Sequence, residues 1–167
     1  MDKRLLIAYG TVAGSTKEVA QAIAEEMQNA GAHVDIKPVE DLKTIEGYDA
    51  IVVGTAVRMF HILGKTRRFL KRNKNALQNI PTAYFLVCLT MGEETPENIE
   101  QAKKYAQPMI ETKEPVSLGL FGGCIDHEKL NDFFGKTMKS VPEQDHRDWD
   151  LISAWGRETL EKFQAQD

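Results

Sequence analysis

The stretch YGTVAGSTKEVAQAIAEEM, residues 9–27, joins an apolar run to an amphipathic segment through a loop of glycines and hydroxyls. The apolar run before it, residues 5–9, shows no alternation and therefore predicts a strand buried on both faces. After the loop, apolar side chains recur with helical spacing up to Gly31, a typical helix-ending residue. These apolar positions are Val19, Ala20, Ile23, Ala24 and Met27. The stretch thus predicts a strand, a loop and a helix in that order.

The rest of the chain repeats this alternation of strands and helices. Apolar runs predict four further strands, at residues 34–39, 50–53, 83–89 and 116–121. Helical spacing predicts a basic helix through Phe69, Leu70 and Leu77, a helix opened by Thr95-Pro96, and a last helix through Ile152 and Phe163. Alternating strands and helices indicate a parallel sheet with helices on both faces. We therefore expect a single doubly wound α/β domain over residues 1–167.

The loop after the first strand is the expected ligand site, because ligands of such folds bind at the carboxyl ends of the strands. A Walker A loop needs a lysine before the hydroxyl, whereas Lys17 follows Thr16 here. A dinucleotide fingerprint needs G-x-G-x-x-G, which the spacing of Gly10 and Gly14 does not give. What remains is a set of hydroxyls and backbone N–H groups at a helix N-terminus, without a cation in the loop. This chemistry suits a terminal monophosphate.

Composition narrows the class of protein further. The net charge of −4 argues against nucleic-acid binding, which usually needs a basic excess. Cys88 and Cys124 lie in apolar runs without metal-ligand spacing, so we expect inert thiols and no metal site. No apolar run approaches the length of a membrane span. We expect a cytoplasmic protein without a transmembrane segment.

The loop resembles the phosphate loop of flavodoxins, T/S-x-T-G-x-T, with Ala13 in place of one hydroxyl. The resemblance implies FMN as the cofactor and a five-stranded parallel sheet in the order 2-1-3-4-5. The alternative is that Thr11, Ser15 and Thr16 only cap the helix, in which case the domain is a binding module without a flavin.

Two further segments, IVVGTAVRMF at 51–60 and DHRDWDLISAW at 145–155, resemble the menaquinone-dependent protoporphyrinogen IX dehydrogenase family of flavodoxin domains. By this resemblance, the first loop would bind the FMN phosphate, and two later loops would line the flavin ring. Arg58 is also the candidate for a catalytic contact with substrate or flavin, since its guanidinium can pair with a carboxylate. The implied cofactor-binding residues are Thr11, Val12, Ala13, Gly14, Ser15, Thr16, Thr55, Ala56, Val57, Arg58, Met59, Thr90, Met91 and Gly92.

The resemblance implies an FMN-dependent oxidoreductase that acts on a small molecule, for example a porphyrinogen. An electron-transfer flavodoxin that serves a redox partner protein is the alternative. The third loop, LTMGEE, has no aromatic ring to stack on a flavin, which argues against an electron carrier.

The basic run from Lys65 to Lys74 is either a solvated helix face or a surface for an acidic partner or a carboxylate-bearing substrate. Leu130, Phe133, Phe134 and Met138 have helical spacing and would pack on the sheet or cover the flavin. The membrane-associated relatives have a longer and more basic insertion there, so peripheral membrane contact is doubtful.

Overall fold

Five long strands form one parallel sheet in the computed structural model, which describes residues 2–129 and 138–166. The strand order is β2-β1-β3-β5-β6, with β4 paired to β3 outside this path. Counted over the long strands alone, the order is 2-1-3-4-5, so the predicted topology is confirmed. The strands are β1 (Arg4–Gly10), β2 (His33–Pro38), β3 (Ala50–Arg58), β4 (His61–Ile62), β5 (Thr82–Cys88) and β6 (Ser117–Gly122). A separate two-stranded antiparallel ribbon joins β7 (Cys124–Ile125) to β8 (Gln144–Asp145).

Helices connect the strands and cover both faces of the sheet. They are α1 (Ser15–Asn29), α2 (Gly64–Arg72), α3 (Lys74–Leu77), α4 (Pro96–Thr112) and α5 (Trp149–Gln164). The predicted helix ends at Gly31 and Thr95 are confirmed. Gly31 has a φ of 94°, and the N–H of Ala32 donates to the carbonyl of Met27 at 3.0 Å, which closes α1. The Thr95 hydroxyl accepts the N–H of Asn98 at 3.1 Å and so caps α4.

Two apolar cores lie on opposite faces of the sheet, because each strand sends alternate side chains to each face. On one face, Leu5 and Ile7 pack with α1 and α5 around Ile23 and Trp155. The other core contains Leu6 and Ala8 of the same strand, together with side chains of α2 and α4. This double burial explains why the strands appear in the sequence as continuous apolar runs.

Two features of the fold differ from the sequence-based expectation. The third strand continues to Arg58 instead of ending at residue 53, and it then turns back as the β3–β4 hairpin. The basic helix is divided at Asn73, whose side-chain amide donates to the Phe69 carbonyl at 2.9 Å. The helical face predicted from Leu130, Phe133, Phe134 and Met138 lies outside the described residues, apart from the Met138 backbone.

Candidate functional site

A cleft opens at the carboxyl ends of β1, β3, β5 and β6, where four strand-end segments meet. The lining residues are Thr11, Val12, Ala13 and Ser15 of the first segment, Ala56, Val57 and Arg58 of the second, Val87, Cys88 and Leu89 of the third, and Gly123, Cys124 and Ile125 of the fourth. None of these thirteen described residues is aromatic. The cleft includes the carboxyl ends of β1 and β3, where the strand order reverses and where ligands of this fold class bind.

The loop from Thr11 to Thr16 begins the cleft at the N-terminus of α1. Gly14 takes a φ of 94°, a left-handed conformation that favours glycine, and its N–H donates to the Thr11 hydroxyl at 3.0 Å. No side chain caps α1, so the hydroxyls of this loop do not act as caps in the ordinary sense. The helix N-terminus therefore faces the cleft with its positive dipole end, a suitable place for a phosphate.

The Thr16 hydroxyl gives the clearest sign that this loop fits an anionic ligand. Its side chain is completely buried, and Oγ1 has no hydrogen-bond partner among the described residues. A buried hydroxyl without a partner costs roughly 1–3 kcal/mol, so such groups are rare in folded proteins. A phosphate oxygen at the N-terminus of α1 would supply the partner. The loop thus fits the phosphate of FMN, and Thr11 to Thr16 would hold it.

A buried layer of hydroxyls supports this loop from below. Thr66 of α2 donates to Thr55 Oγ1 at 2.9 Å, and Thr55 in turn donates to the Ala56 carbonyl at 2.9 Å. The side chains of Thr55 and Thr66 are fully buried. A Cβ on Gly10 would collide with the Thr66 hydroxyl, which explains the glycine at the end of β1. Thr55 therefore supports the wall of the cleft from below, and its contact with the flavin ring stays a prediction.

The second segment reaches the cleft with only some of its predicted residues. Ala56, Val57 and Arg58 line the cleft and are half-buried. Met59 is not among the lining residues and is 73% exposed at the turn of the β3–β4 hairpin, so its contact with the flavin ring stays a prediction. Arg58 is thus the predicted residue that brings a permanent positive charge to the cleft wall.

The third segment contributes residues earlier than predicted. Val87, Cys88 and Leu89 line the cleft, whereas Thr90, Met91 and Gly92 continue as a short 3₁₀ turn beyond it. Thr90 Oγ1 lies 3.4 Å from the hydroxyl of Tyr105, and a Cβ on Gly92 would touch the His146 ring. Contact of Thr90, Met91 and Gly92 with a flavin ring stays a prediction.

The fourth segment, Gly123 to Ile125, was missed by the sequence analysis. Gly123 packs so closely on the backbone at Cys88 and Leu89 that an added Cβ would lie 3.1 Å from both. The sequence does indicate this segment, because Gly122 and Gly123 follow the predicted strand at residues 116–121. The carboxyl end of that strand lies at the same edge of the sheet as the other strand ends of the cleft.

Both cysteines border the cleft as neutral thiols. Burial raises the pKa of Cys88 to about 11, and burial also raises the pKa of the half-buried Cys124. Because the thiolate is the reactive form, neither residue is poised as a nucleophile near neutral pH. The expectation of inert thiols agrees with these shifts. The described residues hold no group of three or more His, Cys, Asp or Glu side chains arranged for a metal ion.

An ion-pair cluster stands beside the first turn of α1. Arg147, whose side chain is only 8% exposed, contacts Glu18 at 2.6 Å and Asp145 at 2.7 Å, and Lys129 contacts Glu18 at 2.7 Å. Hydrogen bonds from Lys129 and then Arg147 hold the pKa of Glu18 below its usual value. The cluster joins the chain around β8 to the first turn of α1, and none of its residues was among the predicted site residues.

Comparisons with known proteins agree with this geometry. The sequence profile of the flavodoxin domain family matches residues 6–149. The chain is 28% identical to the protoporphyrinogen IX dehydrogenase [quinone] of Escherichia coli K12 over an alignment of 171 positions that covers 93% of each protein. It is also 34% identical to an NAD(P)H dehydrogenase (quinone) of Paraburkholderia phymatum, over 40% of this chain and 45% of that protein.

Solved structures show the same fold. Oxidised flavodoxin 1 from Bacillus cereus superposes with a TM-score of 0.63 at 14% identity, covering 95% of this chain and 97% of that one. An archaeal flavodoxin superposes with a TM-score of 0.59 at 20% identity, covering 96% of this chain and 99% of that one.

Proposed function

This chain belongs to the flavodoxin domain family, and we propose that it is an enzyme that oxidises protoporphyrinogen IX to protoporphyrin IX. Membership of the family implies FMN as the cofactor and an oxidoreductase as the general class. The finer assignment is supported by the similarity to the Escherichia coli dehydrogenase, which extends over nearly the whole of both chains. That relative is named as a quinone-linked enzyme, and we propose a quinone acceptor here as well. We propose a cytoplasmic location, because an enzyme with two free cysteines suits a reducing compartment.

One observation carries the enzyme assignment more than any other: Arg58 stands in the wall of the cleft. A guanidinium pairs well with a carboxylate through two parallel hydrogen bonds, and a porphyrinogen carries propionate side chains. Arg58 would bind such a carboxylate and orient the macrocycle at the cleft. The loop Thr11 to Thr16 would hold the cofactor phosphate with N–H and hydroxyl groups. Bound FMN supplies the acceptor of two electrons, a chemistry that no side chain of the protein provides.

The lining of the cleft also bears on the choice between enzyme and carrier. Its described side chains are small or aliphatic apart from Arg58, and such walls suit a flat ring system, the flavin with a macrocycle beside it, better than a compact polar substrate. The second candidate function is an electron-transfer flavodoxin, which the superposition with two flavodoxins favours at the level of fold. A carrier would need only an accessible cleft and a protein partner.

The test is anaerobic mixing of the FMN-loaded protein with protoporphyrinogen IX, followed by the loss of oxidised flavin absorbance. We expect reduction of the flavin, and we expect Arg58→Ala to slow this step far more than it lowers FMN affinity. Arg157→Ala is the matched control, because Arg157 lies on α5 and pairs with Glu26 away from the cleft. Failure of the porphyrinogen to reduce the flavin, with rapid reduction by a flavodoxin reductase, would show the carrier to be correct.

A further inference from the structure

Arg147 is held in a fixed position between the β7–β8 ribbon and α1. Its side chain is only 8% exposed, and its guanidinium binds Asp145 of β8 through two nitrogens, with Nε 2.9 Å from Oδ1 and Nη2 2.7 Å from Oδ2. The remaining Nη1 donates to Glu18 of α1 at 2.6 Å. The guanidinium also lies 4.8 Å from the centre of the Trp149 ring. Arg147 could therefore turn toward another ligand only by breaking these contacts.

Glu18 places a negative charge where the loop is expected to bind a phosphate. It is the acidic residue of the first turn of α1, and its side chain lines one cavity together with Ala13 and Ser15 of the phosphate loop. Hydrogen bonds from Lys129 and then Arg147 hold the pKa of Glu18 below its usual value, which keeps the carboxylate ionised. Since like charges repel, this carboxylate without its cations would oppose the phosphate that the helix dipole attracts.

The charges of this cluster cancel within the cluster itself. Arg147 and Lys129 bring two positive charges, and Glu18 and Asp145 bring two negative ones. Glu18 also has a structural use, because its bond to Arg147 ties the ribbon, and with it the fourth segment of the cleft, to α1. The phosphate loop contains no cation of its own, so the charge of Glu18 must be balanced from outside the loop.

We propose that Arg147, together with Lys129, sets the affinity for FMN through Glu18, by neutralising the carboxylate that stands beside the phosphate loop. In this role Arg147 does not contact the cofactor. It lets Glu18 anchor the ribbon without repelling the phosphate. The inference goes beyond the proposed function, since it rests on the phosphate loop and holds for any substrate or redox partner.

The experiment is calorimetric titration of the full-length, FMN-free protein with FMN and with riboflavin at low ionic strength. Arg147→Gln leaves the cluster with a net negative charge, and we expect roughly three- to tenfold weaker binding of FMN with riboflavin binding unchanged. Glu18→Gln should bind FMN at least as tightly as the parent protein. Arg147→Gln combined with Glu18→Gln removes one charge of each sign, and it should restore the parent affinity for FMN to within about twofold.

Two further variants complete the design. Lys129→Gln removes a cation whose side chain is 48% exposed, so folding is not at risk, and it should weaken FMN binding by about twofold at low salt and less at high salt. Arg157→Gln is the matched control. Arg157 of α5 also contacts a glutamate of α1 at 2.6 Å, but that residue is Glu26, far from the phosphate loop. Its loss should leave the affinity for both ligands unchanged.

Each other outcome overturns the proposal for a distinct reason. If FMN and riboflavin binding weaken equally in Arg147→Gln, the residue only maintains the shape of the cleft. If FMN binding alone weakens and Glu18→Gln does not restore it, Arg147 acts on the phosphate directly. If the parent protein binds FMN and riboflavin equally, the phosphate loop itself is wrongly assigned. None of these titrations involves a porphyrinogen, so failure of this inference and failure of the proposed enzyme activity are distinguished.

Discussion

Replacement of Thr16 by valine should change FMN affinity and the stability of the FMN-free protein in opposite directions. The Thr16 hydroxyl is buried and has no partner in the described structure, so its removal relieves a desolvation cost of roughly 1–3 kcal/mol. Valine has nearly the same shape, and we expect the free energy of unfolding of the FMN-free protein to stay equal or to rise. The same hydroxyl would donate to the FMN phosphate, and loss of a hydrogen bond to a charged group costs about 1.5–3 kcal/mol.

The measurement combines calorimetric titration with FMN and with riboflavin and urea unfolding of the FMN-free protein. We expect a loss of FMN affinity of roughly 10- to 150-fold, with riboflavin affinity little changed. Thr159→Val is the matched control, because Thr159 is another fully buried threonine of a helix whose hydroxyl lacks a partner, far along α5. It should stabilise the FMN-free protein without affecting FMN. An equal loss of riboflavin and FMN affinity in Thr16→Val would refute the assignment of this hydroxyl to the phosphate.

Two other variants test the surroundings of the phosphate loop. Gly10→Ala places a methyl group against the Thr66 hydroxyl and should destabilise the protein by roughly 1–3 kcal/mol in urea unfolding; no loss would show that α2 can shift freely. Hydrogen bonds from Lys129 and Arg147 lower the pKa of Glu18, so the stability they provide is present above the ordinary pKa of a glutamate and is lost as the pH falls through the lowered value. Unfolding curves measured at successively lower pH should therefore lose less stability in Glu18→Gln than in the parent, and identical pH profiles would contradict this role.

The sequence contained most of the fold because each long strand is buried on both faces. Such strands are continuous apolar runs, and amphipathic helices separate them along the chain. This alternation predicts a parallel sheet with helices on both faces. The hairpin after β3 was not predictable, since Met59-Phe60 is not a sequence that two-residue turns favour. The basic helix breaks at Asn73, where the side-chain amide donates to the Phe69 carbonyl, and helical spacing does not show this break.

The phosphate loop was predicted as a unit because its hydroxyls, glycines and helix start are contiguous in sequence. The remaining wall of the cleft comes from segments that are distant in sequence. The sequence therefore predicts these lining residues less accurately than those of the phosphate loop. Thr55 shows the difficulty, because a threonine at a strand end is equally suited to face a ligand or to hold a neighbouring hydroxyl. Arg147 illustrates the same limit, since its contact with Glu18 joins residues 129 positions apart.

The most direct test of the central claim is an anaerobic electron count with FMN-loaded protein in excess over protoporphyrinogen IX. Oxidised flavin is followed by its absorbance and protoporphyrin IX by its fluorescence in the same cuvette. Because the conversion releases six electrons and each flavin accepts two, the account predicts that three flavins are reduced for each protoporphyrin formed. Protoporphyrin that forms without matching loss of oxidised flavin, or flavin that stays oxidised throughout, would contradict the claim that this protein is a porphyrinogen-oxidising flavoenzyme.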